Sequence, residues 1–297
     1  MDLKSSRLNV IIFGLNRFPR IAVPCFHDFL GQVNIKHLNI IAGFIVPADG
    51  CISNKKSGEH DVILEDPLGD FWKSSIQHYV GAYHQDSFCQ DSDYYLYESS
   101  LRASLARLDI FQDDYKSILN YLGYLYASYR FANDALNYLE DGPTLLLRPD
   151  VVYSSAMPLS IPQDLSKMLI SLGYDKYGEV NDRFFLSSSQ NILSIMRRIV
   201  RVSRYLFPPW RYFHSECFAR WYLQKYLSVD VQYAPPSLTA KRIRSNGIVE
   251  DTDSLHYEGH AARSFMRKNF FRDTSLEQLL ISLRLKRALY DSNNILQ

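Results

Sequence analysis

The chain has 297 residues, of which 46% are apolar, and its 33 Lys and Arg nearly balance its 32 Asp and Glu. This apolar content and balanced charge exclude an intrinsically disordered chain. A net charge of +1 gives no general attraction for nucleic acid. Tyrosine is abundant, at 21 residues, and it suits both cores and polar clefts because it joins an apolar ring to a hydroxyl.

Cysteine content and hydropathy predict the cellular location. The four cysteines include no CxxC pair, which is too sparse for a disulfide framework or a zinc site. The apolar run at residues 10–13 is too short for a signal peptide, and no segment approaches the roughly 20 apolar residues that span a bilayer. We therefore expect a cytoplasmic protein, with peripheral attachment to the inner face of a membrane as the alternative.

The sequence pattern predicts strands alternating with helices in the first half of the chain. Apolar runs bounded by Gly or Pro predict buried strands, and a proline opens the first helix. The predicted elements are a strand at 8–14, a helix at 19–29, a strand at 38–46, a loop at 47–60, a short strand at 62–64, a helix at 68–80 and helical structure over 95–139. The order strand, helix, strand predicts a right-handed parallel crossover.

The second half continues the alternation. The predicted elements are a strand at 144–147 that 151–153 continues, a helix at 160–173, a strand at 184–186, helices at 187–205 and 213–227, a strand at 229–233, an irregular region at 239–264 and an amphipathic helix at 276–290. Ser188 or Ser189 is expected to cap the helix at 187–205. The alternation predicts the α/β class, in which ligands bind beyond the carboxyl ends of strands.

Two candidate binding segments follow predicted strands. Gly14 allows a tight turn after the first strand, and Arg17 lies near a helix start, which favours a bound anion. Arg148 and Asp150 follow the strand at 144–147, where Arg148 would face phosphate and Asp150 would face sugar hydroxyls or a cation such as Mg²⁺ or Mn²⁺. The alternatives are a plain glycine turn and a simple salt bridge.

A third polar segment precedes the predicted strand at 184–186. Asn181 and Asp182 are suited to hydrogen bonds with sugar hydroxyls, and Arg183 is suited to a pyrophosphate. The alternative is a capped turn. Glu216 opens an aromatic-rich helix, where burial would raise its pKa and suit it to act as a base; the alternative is an acid that stabilises the helix dipole.

The order and spacing of these segments resemble the glycosyltransferases of bacterial and viral surface-polysaccharide clusters. The segments that carry the resemblance lie at residues 14–17, 121–133, 145–150, 181–184 and 215–216. The resemblance implies a single GT-A-like, Rossmann-like domain over residues 1–235, with a mixed central sheet flanked by helices. Residues 236–297 would form an irregular segment and a C-terminal amphipathic helix.

The same resemblance implies transfer of a sugar from a nucleotide-sugar donor to a glycan or glycolipid acceptor. It places Arg148 and Asp150 where such enzymes carry a DxD motif, but Arg148 replaces the first acid. A Mn²⁺ or Mg²⁺ ion on Asp150 and a metal-independent mechanism therefore both stay open, the latter with Arg17, Arg148 and Arg183 stabilising the leaving group. Glu216 or Asp182 would act as the base.

Two other functions stay open: a non-catalytic binding or assembly protein with this fold, and another nucleotide-dependent transferase. The neutral total charge also conceals an asymmetry, because residues 1–150 carry a net charge of −6 and residues 151–297 one of +7. Arginines at 197, 198, 201 and 204, a cluster at 241–244 and the final helix predict peripheral contact with an anionic membrane. The alternative is a set of solvated helices.

Overall fold

The structure is a computed structural model, which describes residues 7–249 apart from 34, 36, 48–50, 55–58, 77–84, 90–115, 156–160, 163, 174–179, 207–212, 236 and 245. It contains a seven-stranded mixed sheet and two small two-stranded sheets. The strands are β1 (Arg7–Gly14), β2 (His37–Val46), β3 (Cys51–Asn54), β4 (Glu59–Ile63), β5 (Gln85–Cys89), β6 (Pro143–Leu147), β7 (Val151–Ser155), β8 (Met168–Ser171), β9 (Phe184–Ser188), β10 (Asp230–Tyr233) and β11 (Leu238–Arg242).

The large sheet has the strand order β10-β8-β9-β6-β1-β2-β5. Strands β6, β1, β2 and β5 are parallel to one another, which confirms that the first strand, helix and second strand form a parallel crossover. Strand β9 is antiparallel to both β6 and β8, and β10 is parallel to β8. The small sheets pair β7 with β11 and β3 with β4, both antiparallel.

Helices cover both faces of the large sheet. They are α1 (Pro19–Gly31), α2 (Asp70–Ile76), α3 (Lys116–Ala135), α4 (Ser189–Met196), α5 (Val202–Leu206) and α6 (Ser215–Trp221), with a 3₁₀ turn at Arg198–Arg201 and a π-helical turn at Tyr222–Leu227. Because successive strand side chains point to opposite faces, Val10 and Ile12 pack with α1 in one core. Ile11 and Phe13 pack with α3 and α4 in another. The predicted mixed sheet flanked by helices is confirmed.

Four local predictions are wrong. The segment 160–173, predicted as a helix, contains β8, because short apolar runs fit either period and pairing with β9 and β10 decides the outcome here. The predicted loop at 47–60 contains β3, and the predicted continuation at 151–153 belongs to β7, which pairs with β11 rather than extending β6. The irregular region at 239–264 begins within β11.

The helix predicted at 187–205 is interrupted. It starts where expected, because the Ser188 hydroxyl accepts from the backbone N–H of Asn191, but α4 ends at Met196 and is followed by the 3₁₀ turn and α5. Residues 95–115 and the predicted helix at 276–290 lie outside the described residues. Among the helices that the structure describes, none is both long and apolar enough to cross a bilayer.

Candidate functional site

Three predicted segments meet at one edge of the large sheet. Strands β1 and β6 are parallel neighbours, so the turns that follow Gly14 and Leu147 lie side by side. Strand β9 is antiparallel to β6, with Phe184 opposite Leu147, so residues 181–183 enter β9 at this same edge. The edge is the carboxyl end of the parallel strands, where α/β proteins bind their ligands.

Gly14 is required by the packing of two of these turns. Its φ is +142°, and a Cβ placed on it would lie 3.3 Å from Cδ of Pro149. A side chain at this position would meet both an unfavourable backbone conformation and the proline ring. Gly14 therefore allows the turn after β1 to lie against the turn that carries Arg148 and Asp150.

The carboxylate of Asp150 is the centre of an arginine cluster, formed by Arg17, Arg148 and Arg242. Asp150 is fully buried, and its Oδ1 accepts from Nε of Arg148 at 2.9 Å. Its Oδ2 accepts from Nη2 of Arg148 at 3.0 Å, from Nε of Arg242 at 3.4 Å and from Nη1 of Arg17. The backbone carbonyl of Asp150 also accepts from the N–H of Ile243 at 2.8 Å, which fixes the end of β11 beside the cluster.

The charges in the cluster shift the pKa values of Asp150, Arg148 and Arg242. Burial acts to raise the pKa of Asp150, but the three guanidiniums outweigh it and hold that pKa well below its usual range. Burial acts in the opposite sense on Arg148, where Asp150 outweighs it and raises the pKa. Burial and the nearby Arg17 and Arg148 lower the pKa of Arg242 to about 9, so Arg242 stays charged at neutral pH. The three guanidiniums and one carboxylate sum to a formal charge of +2.

The side chains around Asp150 do not fit a divalent cation. Both carboxylate oxygens already accept hydrogen bonds from guanidinium groups, and the three positive charges would repel a metal ion. In the part of the chain that the structure describes, no group of three or more His, Cys, Asp and Glu side chains is arranged to hold one. The geometry favours the arginines, rather than a metal on Asp150, as the partners of a bound anion.

Tyr153 joins two of the three turns. Its hydroxyl accepts from the backbone N–H of Arg148 at 2.8 Å and donates to the backbone carbonyl of Arg183 at 2.6 Å. The side chain is buried, so both hydrogen bonds are shielded from water and their loss would leave buried polar groups unpaired. Tyr153 therefore holds the turn after β6 in register with the turn before β9.

The three residues of segment 181–183 make different contacts at the site. The Oδ1 of buried Asn181 accepts from the backbone N–H of Arg183 at 2.8 Å, so Asn181 shapes the turn. Nη1 of Arg183 donates to the carbonyl of Ala240 in β11 at 3.2 Å. Asp182 is half-buried and its charge acts on Arg148, which places it beside the arginine cluster.

A second set of polar side chains, Tyr121, Arg198 and His214, connects Asp182 to the start of α6 and is called the second polar group. The charge of Asp182 acts on the buried Arg198 and on His214. Nη2 of Arg198 donates to the Tyr121 hydroxyl at 3.4 Å, which in turn donates to the carbonyl of Ser215 at 3.3 Å. The guanidinium of Arg148 lies 5.8 Å from the ring centroid of Tyr124, also on α3, so α3 contacts both groups.

Glu216 follows Ser215 in the first turn of α6 and is buried. It therefore lies on the α6 side of this polar group, whereas Asp182 lies on the side of the arginine cluster. Burial lowers the pKa of the neighbouring His214, with Asp182 acting in the opposite sense. The base roles of Asp182 and Glu216 remain predictions.

Sequence reasoning missed Arg242 and Tyr153 as site residues. In the sequence, Arg242 is part of a basic cluster at 241–244, which predicts contact with a membrane rather than a place in the site. It lies 92 residues from Asp150 in the chain, and only the pairing of β11 with β7 brings it to the cluster. Tyr153 gave no signal, since one tyrosine in an apolar strand is typical of a core.

The basic helix face predicted at residues 197–204 is not a continuous solvated surface. Arg198 is buried, and Nη2 of Arg197 donates to the carbonyl of Ala132 at 3.1 Å. The guanidinium of Arg201 packs 4.4 Å from the ring centroid of Tyr226. These three arginines are engaged within the protein, whereas Arg204 is exposed.

Comparisons with known proteins find only weak structural similarity. No protein-family model and no curated protein matches the sequence. The inositol-1-phosphate CTP transferase from T. maritima is similar at a TM-score of 0.39 and 8% identity, over 89% of this chain and 97% of that one. The PaToxG glycosyltransferase has a TM-score of 0.35 and 13% identity, over 96% of this chain and 85% of that one.

The galactosyltransferase LgtC, in complex with donor and acceptor sugar analogues, has a TM-score of 0.34 and 11% identity, over 91% of this chain and 98% of that one. An active-site mutant of LgtC gives 0.36 and 12%. These neighbours are glycosyltransferases and a nucleotidyltransferase. The values assign neither a family nor an activity to this chain.

Proposed function

We propose that the protein is a glycosyltransferase that moves a sugar from a nucleotide-sugar donor to a glycan or glycolipid acceptor. The observation that carries the proposal is the arginine cluster, which holds a net charge of +2 at the carboxyl edge of parallel strands. A cation cluster of this kind, preformed and largely shielded from water, suits a phosphate-containing group.

In the proposed reaction, the bond between the anomeric carbon and the donor's phosphate oxygen breaks, and the acceptor oxygen bonds to the anomeric carbon. Negative charge develops on the departing phosphate group, and Arg148 and Arg242 stabilise it. Asp150 holds these guanidiniums in place before the donor arrives, so little reorganisation is needed in the transition state. A base takes the proton of the acceptor hydroxyl.

Asp182 is the better placed of the two proposed bases. It is half-exposed and its charge acts on Arg148, next to the proposed phosphate site. Glu216 is buried at the start of α6, so an acceptor would reach it only if that region moved. We therefore expect Asp182→Asn to abolish transfer while leaving donor binding intact, and Glu216→Gln to reduce transfer less.

The experiment has two parts. Thermal-shift measurements with UDP-, GDP-, dTDP- and CMP-sugars, with EDTA or with Mn²⁺, will show a donor through ligand-linked stabilisation. Release of free nucleotide from the stabilising donor, in the presence of membrane or glycan extracts, will then report transfer. Arg148→Gln should remove the shift, and Arg20→Gln should keep it, because Arg20 is exposed and pairs with Glu65 rather than with Asp150.

Each contrary outcome identifies a different function. Absence of a shift with every donor would refute the proposal. A donor that binds without any turnover would favour the non-catalytic binding protein. Release of pyrophosphate from a nucleoside triphosphate and a sugar phosphate, rather than nucleotide from a nucleotide sugar, would favour a nucleotidyltransferase.

A further inference from the structure

Tyr124, on α3, lies beside the arginine cluster, with its ring next to the guanidinium of Arg148. We propose that Tyr124 is a further substrate-contacting residue, whose hydroxyl donates a hydrogen bond to the phosphate group that Arg148 binds. This inference rests on the proposed function and adds a residue to the same site.

Two ring contacts place Tyr124 at the carboxyl edge of the large sheet. Its ring centroid lies 5.6 Å from that of Phe13, the residue before Gly14 in β1. The guanidinium carbon of Arg148 lies 5.8 Å from the centroid of the Tyr124 ring, within the range of a cation–π contact. The side chain is only half-buried, so Tyr124 borders the turn after β6 and part of it is accessible to a ligand.

The Tyr124 hydroxyl lies near charged groups but forms no hydrogen bond with them. Four charged side chains act on it: Arg148, Arg198, Asp150 and Asp182. Within the part of the chain that the structure describes, the hydroxyl makes no hydrogen bond. A tyrosine hydroxyl offers one donor and can also accept, so the whole hydrogen-bonding capacity of this one is available to a ligand.

Two neighbouring tyrosine hydroxyls are already engaged by the fold. That of Tyr121 accepts from Nη2 of Arg198 at 3.4 Å and donates to the carbonyl of Ser215 at 3.3 Å. That of Tyr153 accepts one hydrogen bond and donates another, and so joins two turns of the site. Tyr124 differs from both because its hydroxyl bridges nothing among the described residues, which favours contact with a ligand over a role in holding the fold.

The chemistry of the hydroxyl suits a phosphate oxygen. Burial raises the pKa of Tyr124, although Arg198 and Arg148 act in the opposite sense, so the hydroxyl keeps its proton at neutral pH and acts as a donor. Arg148 directs Nε and Nη2 to Asp150, and its Nη1 makes no hydrogen bond within the described residues. A phosphate group bound between Nη1 of Arg148 and the Tyr124 hydroxyl would accept from both donors.

The proposed reaction gives this hydrogen bond a role in the transition state. Negative charge increases on the departing phosphate group as its bond to the anomeric carbon breaks, and hydrogen bonds to charged groups are stronger than those to neutral ones. The Tyr124 hydroxyl would therefore stabilise the departing group more than the bound donor. No proton is transferred, since the hydroxyl only donates a hydrogen bond.

The test measures binding of inorganic pyrophosphate to the full chain by isothermal titration calorimetry in EDTA. Tyr124→Phe keeps the ring and removes the hydroxyl, so it should weaken binding by roughly tenfold. Its urea midpoint should equal that of the wild type, because the hydroxyl has no hydrogen bond to lose among the described residues.

Tyr126→Phe is the matched control. Tyr126 is also half-buried on α3, and its hydroxyl likewise makes no hydrogen bond within the described residues. It lies two positions further along the helix and therefore about 200° around the helix axis from Tyr124. Tyr126→Phe should bind pyrophosphate like the wild type.

Three results would overturn the inference: wild-type affinity in a folded Tyr124→Phe protein, no pyrophosphate binding by the wild type, or an equal loss of binding in Tyr126→Phe. A loss of binding in Tyr124→Phe that comes with a lower urea midpoint would show a structural role instead.

The same variant separates this inference from the proposed function. Pyrophosphate binding that depends on Tyr124, without nucleotide release from any nucleotide sugar, would refute the proposed function and keep the inference. Nucleotide release at a rate that Tyr124→Phe leaves unchanged would keep the proposed function and refute the inference.

Discussion

Replacement of Asp150 by asparagine tests the structural basis of the arginine cluster. The change keeps the size of the side chain but removes the one negative charge that contacts Arg17, Arg148 and Arg242. It also puts an NH₂ group at one end of the side chain. Oδ2 accepts from all three arginines and Oδ1 accepts from Arg148. In either orientation, the NH₂ group of an asparagine would therefore face the N–H donors of at least one arginine.

The expected loss of stability follows from burial. Asp150 is fully buried and Arg17 is nearly so, so the guanidiniums left without a carboxylate cannot be fully hydrated. Removing one partner of a buried ion pair costs about 3–5 kcal/mol. We expect Asp150→Asn to lower the free energy of unfolding by that amount, which is a large share of the roughly 5–15 kcal/mol available to a typical domain.

Urea unfolding, followed by circular dichroism, measures this loss. Asp230→Asn is the matched control, because Asp230 is exposed and makes one long side-chain hydrogen bond, at 3.5 Å to Gln232; its midpoint should not change. A folded Asp150→Asn protein whose free energy of unfolding lies within about 1 kcal/mol of wild type would show that the arginines do not depend on this carboxylate.

The pH dependence gives an independent check with a defined sign. The pKa of Asp150 is lowered in the folded protein, so its contribution to stability is complete above the unfolded value of about 3.9. That contribution decreases as the pH falls below the unfolded value and is fully lost once the pH has fallen through the lower folded value. The difference in unfolding free energy between wild type and Asp150→Asn should be constant from about pH 5 to 8 and should narrow below about pH 4. A difference that changes steadily between pH 5 and 8 would refute the assignment.

Two further substitutions test how the turns are held together. Tyr153→Phe removes the hydrogen bonds to Arg148 and Arg183, so it should lower the free energy of unfolding by about 1–3 kcal/mol and reduce the thermal shift produced by the nucleotide-sugar donor; unchanged values for both would contradict its bridging role. Gly14→Ala places a Cβ 3.3 Å from a proline ring at φ +142° and should cost about 1–3 kcal/mol in urea unfolding. Gly31→Ala, which meets nothing within 4 Å, is its control, and equal stability of the two variants would contradict the argument.

Much of the site was predictable because it depends on local patterns. The apolar runs of β1, β2 and β6 end at glycine, proline or charged residues, and these endpoints are readable in the sequence. Once the strands are parallel, their carboxyl ends meet at one edge. This geometry predicts that the turns after β1 and β6 lie side by side, although Arg17 and Asp150 are 133 residues apart in the chain.

The elements that sequence reasoning missed depend on distant pairing. Residues 160–173 carry an apolar pattern compatible with a helix, but β8 forms there because β9 and β10 flank it. Its pairs with β10 join residues about 60 positions apart. Local periodicity does not report such partners, and it distinguishes short buried strands poorly from helices.

Strand β11 shows how such a miss changes the chemistry inferred for a site. Leu238 and Ala240 are buried and alternate with the partly exposed Thr239 and Lys241, which is the two-residue period of a strand. The polar residues that follow predict an irregular region from residue 239 instead. Without Arg242, the two arginines and one aspartate at the strand ends sum to +1, which leaves a metal ion and an arginine clamp equally open. The third guanidinium raises the formal charge of these side chains to +2 and contacts Asp150 as well, which favours an anion bound by the arginines over a metal ion on Asp150.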